Sequence, residues 1–127
     1  MEPEKIPHRV WAEINMDNLV HNFEVVRAAA AQSRIVCVIK ADAYGHGAVR
    51  CAKALAAAGA RDFAVATPEE ALQLRRNGIT EEGGLLLGAA LPGDVAELAE
   101  HSVAVTWSGR GTATAYAECL LGKQLPW

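Results

Sequence analysis

One lysine stands between an unbroken run of apolar residues and a stretch of small ones. Residues 35–39 are apolar and rich in β-branched side chains, Lys40 follows them, and residues 41–47 include two alanines and two glycines. A partly desolvated lysine loses its proton more easily and can form a Schiff base with a carbonyl compound. A lysine in this position can equally be a solvated cation whose aliphatic stem covers apolar surface. The residue types alone leave both interpretations open.

The element that positions this lysine is a short strand. Five consecutive apolar residues predict a strand that is buried on both faces, as in a parallel sheet, with Lys40 at its carboxyl end. The small residues in 41–47 suit a close approach of the backbone to a ligand, and Tyr44 is the one large side chain there. Any chemistry of this chain is therefore expected at this strand end.

Other strands and helices are predicted from hydrophobic spacing, capping residues and glycine stops. The predicted strands are 10–15, 62–66, 85–87 (ended by Gly88) and 103–106, and the predicted helices are about 18–31, 48–58, 68–78, 94–100 and 113–121. Strand and helix then alternate in four units after the first helix. This order indicates an α/β protein with a parallel sheet.

The length sets how much of such a fold is present. A complete (β/α)8 TIM-type barrel needs about 250 residues. The 127 residues predict a single domain of about four βα units, and the family resemblance given below implies that these units form a partial barrel. Half a barrel leaves two sheet edges unpaired and an inner face uncovered, which argues against a stable free monomer.

Capping residues mark the helix starts. Asp17 and Asp94 are predicted as N-caps, and Thr67 with Glu70 as a capping box. Glu69 and Glu70 resemble a pair of catalytic carboxylates, but helix-start chemistry explains both. We assign them no catalysis.

Composition excludes several functions. The net charge is −3 and the 12 basic residues are scattered, so no nucleic-acid or anionic-membrane partner is predicted. Acidic residues near the start and the absence of a long apolar stretch predict a cytoplasmic protein. The three cysteines and the histidines lack metal-binding spacing, so no metal site is expected. Residues 108–111 match no phosphate-binding motif and predict a loop with Ser108 as a helix cap.

The literal motif is more specific than the residue types. Residues 40–47, KADAYGHG, closely resemble the lysine motif that binds pyridoxal 5′-phosphate (PLP) in alanine racemases, which are barrel-type (fold type III) PLP enzymes. Further matches follow in the same order: WAEIN at 11–15, FAVA at 63–66, EEA at 69–71, LR at 74–75 and LLLG at 85–88. The resemblance covers nearly the whole chain.

This resemblance implies a cofactor, a reaction and three site residues. Lys40 would hold PLP as a Schiff base and act as one catalytic base, Tyr44 would contact the cofactor phosphate, and Leu87 would line the cofactor. The implied reaction is the interconversion of L-alanine and D-alanine by a homodimer. Residues 1–127 would be the N-terminal portion of the barrel, and the C-terminal β domain, which the strand at 10–15 would join, would be absent from them.

The resemblance also implies that part of the site lies elsewhere. In the family the second base is a tyrosine from the C-terminal domain of a partner subunit, and the partner of the pyridine nitrogen also follows the equivalent of Trp127. The isolated chain is therefore expected to be inactive or nearly so. Two alternatives stay open, a non-catalytic PLP-binding or PLP-homeostasis protein and an inactive remnant that serves as an interaction surface.

Overall fold

The computed structural model describes residues 10–80 and 84–121, with the backbone alone for residues 84–87. Strands and helices alternate along these residues. In chain order they are α1 (Met16–Ala29), β1 (Val36–Val38), α2 (Lys40–Tyr44), α3 (Ala48–Ala57), β2 (Asp62–Val65), α4 (Pro68–Arg76), β3 (Gly84–Ala89), α5 (Pro92–Glu100), β4 (Val103–Thr106) and α6 (Arg110–Cys119). None of the described helices is long and apolar enough to cross a membrane.

The four strands form one parallel sheet in the order β1-β2-β3-β4. One row of paired Cα atoms runs across it through Val38, Ala64, Leu85 and Ala104. Each strand therefore lies beside the next one in sequence, with a helix in each connection. The α/β class and the partial barrel of four βα units are confirmed.

The helices cover one face of this sheet. Phe63, Val65 and Val103 share that face and are buried, together with Val95 and Leu98 of α5. Because parallel strands alternate their side chains between the two faces, the neighbouring positions point the other way. The main core therefore lies between the sheet and its helices.

The prediction that the first strand is buried on both faces is wrong. Val36 and Val38 are each 40% exposed, whereas Cys37 between them is half-buried on the helix side. The reason is that β1 lies at an edge of the sheet, and its two valines point away from the helix layer. Apolar composition alone could not distinguish this edge strand from a central one.

The start of the chain also differs from the prediction. Residues 10–15 form no strand, since they have no pairing partner among the described residues. The first helix begins at Met16 rather than 18, and its N-cap is Asn15, whose Oδ1 accepts a hydrogen bond from the N–H of Asn18 (2.9 Å). Asp17 lies in the first turn, where its charge favours the helix dipole without capping an N–H.

Two later caps are also misplaced by the sequence. The N-cap of α5 is Leu91, so Asp94 lies in the first turn, and the N-cap of α6 is Gly109, so Ser108 lies before the helix. Proline at the start of α5 fixes an earlier beginning than Asp94 suggests. Both helices therefore begin earlier than predicted.

An ion pair joins β1 to β2 at their amino ends. Arg34 donates two hydrogen bonds to the carboxylate of Asp62, from Nε to Oδ2 (2.6 Å) and from the terminal nitrogen NH2 to Oδ1 (2.5 Å). Asp62 is only 6% exposed, and these hydrogen bonds hold its pKa below the ordinary carboxyl value. The buried carboxylate is therefore stabilised in its charged form.

Candidate functional site

Lys40 lies immediately past the carboxyl end of β1. The N–H of Ile39 donates to the carbonyl of Ala64 (2.9 Å), so the pairing with β2 continues up to the residue before the lysine. Lys40 is half-buried, and the described residues offer its amine neither a hydrogen bond nor an ion pair. The sheet therefore positions the backbone at Lys40, and the amine has no partner among the described residues.

The backbone turns left-handed directly after Lys40, so the segment labelled α2 is a left-handed turn rather than a right-handed helix. Ala41, Asp42, Ala43 and Tyr44 have φ angles between 51° and 57°. A left-handed residue that carries a Cβ costs about 1–2 kcal/mol, and a run of four persists only when its surroundings hold it in place. The sequence predicts a loop of small residues here, and the structure shows a strained turn instead.

The two motif glycines serve this turn by their backbone angles. Gly45 and Gly47 have φ angles of 85° and 93°, a region that side chains with a Cβ rarely adopt. A Cβ added at either position would meet no atom within 4 Å. In the described chain their left-handed φ angles favour glycine, and the close approach of the backbone to a ligand stays a prediction.

Two motif side chains hold the turn from within. Oδ1 of Asp42 accepts a hydrogen bond from the N–H of Ala48 (2.8 Å), which caps the amino end of α3. Nδ1 of His46 donates to the carbonyl of Ala43 (2.9 Å). The sequence did not reveal the cap, because Asp42 lies six residues before the N–H that it satisfies.

Glu70 holds the turn from the neighbouring βα unit. Its Oε2 accepts from the N–H groups of Ala66 (2.8 Å) and Thr67 (3.3 Å), and Thr67 in turn caps the N–H of Glu70 (3.2 Å). This is the predicted capping box, which is confirmed. The other oxygen, Oε1, accepts from the N–H of Ala41 at 2.8 Å. Helix-start chemistry therefore explains only one of the two oxygens of Glu70.

Tyr44 ends the turn and is 62% exposed. It borders an apolar cleft of about 210 Å³ between α1, β1 and α3. The lining residues are Leu19, Cys37, Val38, Ile39, Ala43, Tyr44, His46, Cys51 and Leu55. Lys40 is not among these described lining residues, so the cleft flanks the turn and does not enclose the amine.

Leu87 lies at the same end of the sheet as Lys40, the end where the strands finish. Val38 pairs with Ala64, and Ala64 pairs with Leu85. Lys40 follows Val38 by two residues and Leu87 follows Leu85 by two, so both lie at the same level of the sheet. The side chain of Leu87 lies outside the described residues, as does the predicted burial of residues 85–87. Its contact with a cofactor stays a prediction.

Gly88 follows Leu87 and packs closely against the backbone of Ala66, the residue after β2. A Cβ at this position would lie 2.5 Å from the carbonyl oxygen of Ala66. The predicted end of the third strand at Gly88 is wrong, because β3 continues through it to Ala89. This glycine permits close packing against β2, where the sequence suggested a strand stop.

Metal binding has no support in the described part of the chain. It holds no group of three or more histidine, cysteine, aspartate or glutamate side chains that could bind an ion. The candidate site consists of the Lys40 amine, the left-handed turn and the Tyr44 hydroxyl, with Leu87 as a predicted further member.

A family model described as "Alanine racemase, N-terminal domain" matches residues 14–126. The chain is 47% identical over 111 residues to the alanine racemase of Carboxydothermus hydrogenoformans, and the matched region covers 87% of this chain and 30% of that protein. It is 39% identical over 124 residues to the alanine racemase of Synechocystis sp., covering 95% of this chain and 33% of that protein.

Solved structures give the same picture. The alanine racemase of Clostridium difficile 630 superposes with a TM-score of 0.84 at 37% identity, covering 95% of this chain and 32% of that one. The chain thus spans about a third of the length of each of these three relatives.

Proposed function

The chain belongs to the family of the alanine racemase N-terminal domain, and from this membership we propose that it is part of an enzyme that interconverts L-alanine and D-alanine with PLP bound at Lys40. The observation that carries the proposal is the half-buried Lys40, whose amine has no partner among the described residues. It lies at the carboxyl end of a strand in a partial barrel, and barrel enzymes bind their ligands at this end of the strands.

The residues at the carboxyl ends of these strands fit part of a PLP site. Lys40 supplies an amine for the cofactor's aldehyde end, and the exposed Tyr44 supplies a hydroxyl that can donate to a phosphate oxygen. Leu87 would provide an apolar contact. The described residues give no partner that we can assign to the pyridine nitrogen, so the fit covers the aldehyde and one phosphate contact.

The chain's own residues have two tasks in the proposed reaction. Bound PLP would draw electrons from the Cα of the amino acid and so ease loss of its proton. Nζ of Lys40 holds the cofactor in place and, when free, takes or returns that proton on one face. The turn after Lys40 limits where Nζ can reach.

Racemisation also needs a proton-transfer group on the opposite face. Tyr116 is unsuitable, because it is only 3% exposed and its hydroxyl donates to the carbonyl of Ala90 (2.6 Å). His46 is engaged through Nδ1 with Ala43. We propose that the second base comes from outside this chain, in a homodimer of the complete enzyme, and that this chain alone is inactive or nearly so.

A titration with PLP tests the binding part of the proposal. The native chain should develop the absorbance of a lysine-bound aldehyde, and Lys40→Ala should lose it. Lys53→Ala is the matched control, since Lys53 is an exposed lysine on α3, outside the site. Absence of the absorbance in the native chain would contradict the proposal and favour an interaction remnant.

A coupled assay for D-alanine tests turnover. We expect no more than trace activity from the native chain alone, because one base cannot serve both faces of the substrate. Robust D-alanine formation by the chain would contradict the assignment of the second base to a residue outside it. PLP binding combined with no turnover, even in a longer protein, would favour the non-catalytic PLP-binding alternative.

A further inference from the structure

We propose that Glu70 is a positioning residue for Lys40, because its carboxylate ties the backbone beside the lysine to the start of α4. The inference rests on the role proposed for Lys40. Oε1 of Glu70 accepts from the N–H of Ala41 (2.8 Å), while Oε2 accepts from the N–H of Ala66 (2.8 Å). One side chain thus connects two successive βα units.

The atom that Glu70 binds controls the lysine directly. The N–H of Ala41 belongs to the same planar peptide unit as the carbonyl of Lys40. Fixing this N–H fixes the orientation of that plane, and with it ψ of Lys40 and φ of Ala41. Ala41 is also the first residue with a left-handed φ, at 51°. The contact therefore acts where the chain leaves the strand and the left-handed turn begins.

Before Lys40 the N–H of Ile39 already pairs with the carbonyl of Ala64, but after Lys40 the Glu70 carboxylate makes the only described hydrogen bond from the turn to the second unit. Asp42 and His46 hold the turn to Ala48 and Ala43, which are both within the first unit. Loss of the Glu70 carboxylate should therefore leave β1 paired with β2 and the turn formed, but allow the turn after Lys40 to shift relative to the start of α4. A hydrogen bond to a charged acceptor is stronger than one between neutral groups, which suits it to this task.

Two neighbours provide matched controls. Glu69 is an exposed carboxylate in the same first turn of α4, so Glu69→Ala removes an equal charge from the helix start. Thr67→Ala removes the hydroxyl half of the capping box and leaves the Glu70 carboxylate in place. A role limited to helix capping would make Thr67→Ala and Glu70→Ala behave alike.

Amide hydrogen exchange at Ala41, measured by NMR in the protein without PLP, reads the contact itself. Expressed relative to exchange at Val65 in β2, it should rise about tenfold in Glu70→Ala and stay within about twofold of native in Glu69→Ala and Thr67→Ala. Should Glu70→Ala not fold, Glu70→Gln serves instead: its single acceptor oxygen can satisfy only one of the two N–H groups, so exchange should rise at Ala41 or at Ala66, and native exchange at both would overturn the inference. Unchanged exchange at Ala41 in folded Glu70→Ala would overturn the inference.

Labelling of Lys40 gives the second readout. After incubation with PLP and reduction with borohydride, Lys40 should be modified more slowly in Glu70→Ala than in Glu69→Ala, with Glu70→Gln between them. Equal rates in all variants would overturn the positioning role. Failure to label Lys40 in the native protein would overturn the proposed function instead, and exchange at Ala41 would still decide whether Glu70 holds the turn.

Discussion

Oδ1 of Asp42 lies 2.8 Å from the backbone nitrogen of Ala48, so the lysine motif supplies the cap of the helix that follows it. The N-cap position of α3 itself is Gly47, which has no side chain to offer. Asp42 thereby joins the left-handed turn to α3. The motif therefore supplies its own contact with α3 through Asp42, whereas its contact with the start of α4 depends on Glu70.

Replacement of Asp42 by alanine should destabilise the protein by about 1 kcal/mol, because the N–H of Ala48 loses its acceptor. Asp42→Asn should recover most of this loss, since its amide oxygen can accept the same hydrogen bond. Chemical denaturation of the three proteins measures the free energy of unfolding. An equal loss in both variants would assign the effect to the charge of Asp42 and contradict its role as a cap.

Gly88→Ala should destabilise the protein by about 1–3 kcal/mol, because the new methyl group would meet the backbone oxygen of Ala66 at 2.5 Å. Gly93→Ala is the control, since a Cβ there meets nothing within 4 Å and alanine favours the helix α5. Melting temperatures should therefore move in opposite directions. An unchanged melting temperature of Gly88→Ala would show that β2 and β3 can separate without loss of stability.

The Arg34–Asp62 pair should make stability fall in acid. The pKa of Asp62 is lowered in the folded protein, so the folded state binds this proton less readily than the unfolded chain. The contribution is complete above the ordinary carboxyl pKa of about 3.9 and is lost as pH falls through the lowered folded value. The stability lost in Asp62→Asn should therefore shrink at low pH.

Thermal unfolding across the acid range checks this pH dependence. Glu24→Gln is the comparison variant, because Glu24 is exposed on α1 and has no ion pair among the described residues. Its difference from the native protein is the reference against which the Asp62→Asn difference is compared at each pH. A difference between native and Asp62→Asn that stays constant down to about pH 2 would contradict the account.

Local signals in the sequence predicted the elements well. The capping box of Thr67 and Glu70, with Pro68 in the first turn, locates α4 correctly because all its determinants lie within four residues. The alternation of apolar strands and helices likewise predicts the parallel sheet. These features depend on neighbours in sequence, which a single chain displays directly.

Other features depend on contacts that the sequence does not display. The left-handed turn is held by Asp42 and Glu70, and Glu70 lies 29 residues from the N–H of Ala41 that it binds. The exposure of Val36 and Val38 depends on β1 being an edge strand. Hydrophobic pattern and residue type carry no information on either point, so both had to come from the structure.

The central claim is that Lys40 anchors the cofactor, and the most direct measurement is the site of attachment. The protein is incubated with PLP, reduced with borohydride and digested, and the modified lysine is located by mass spectrometry. We expect a single reduced phosphopyridoxyl group on Lys40, with Lys53 unmodified under the same conditions. Equal modification of both lysines, or none at Lys40, would contradict it.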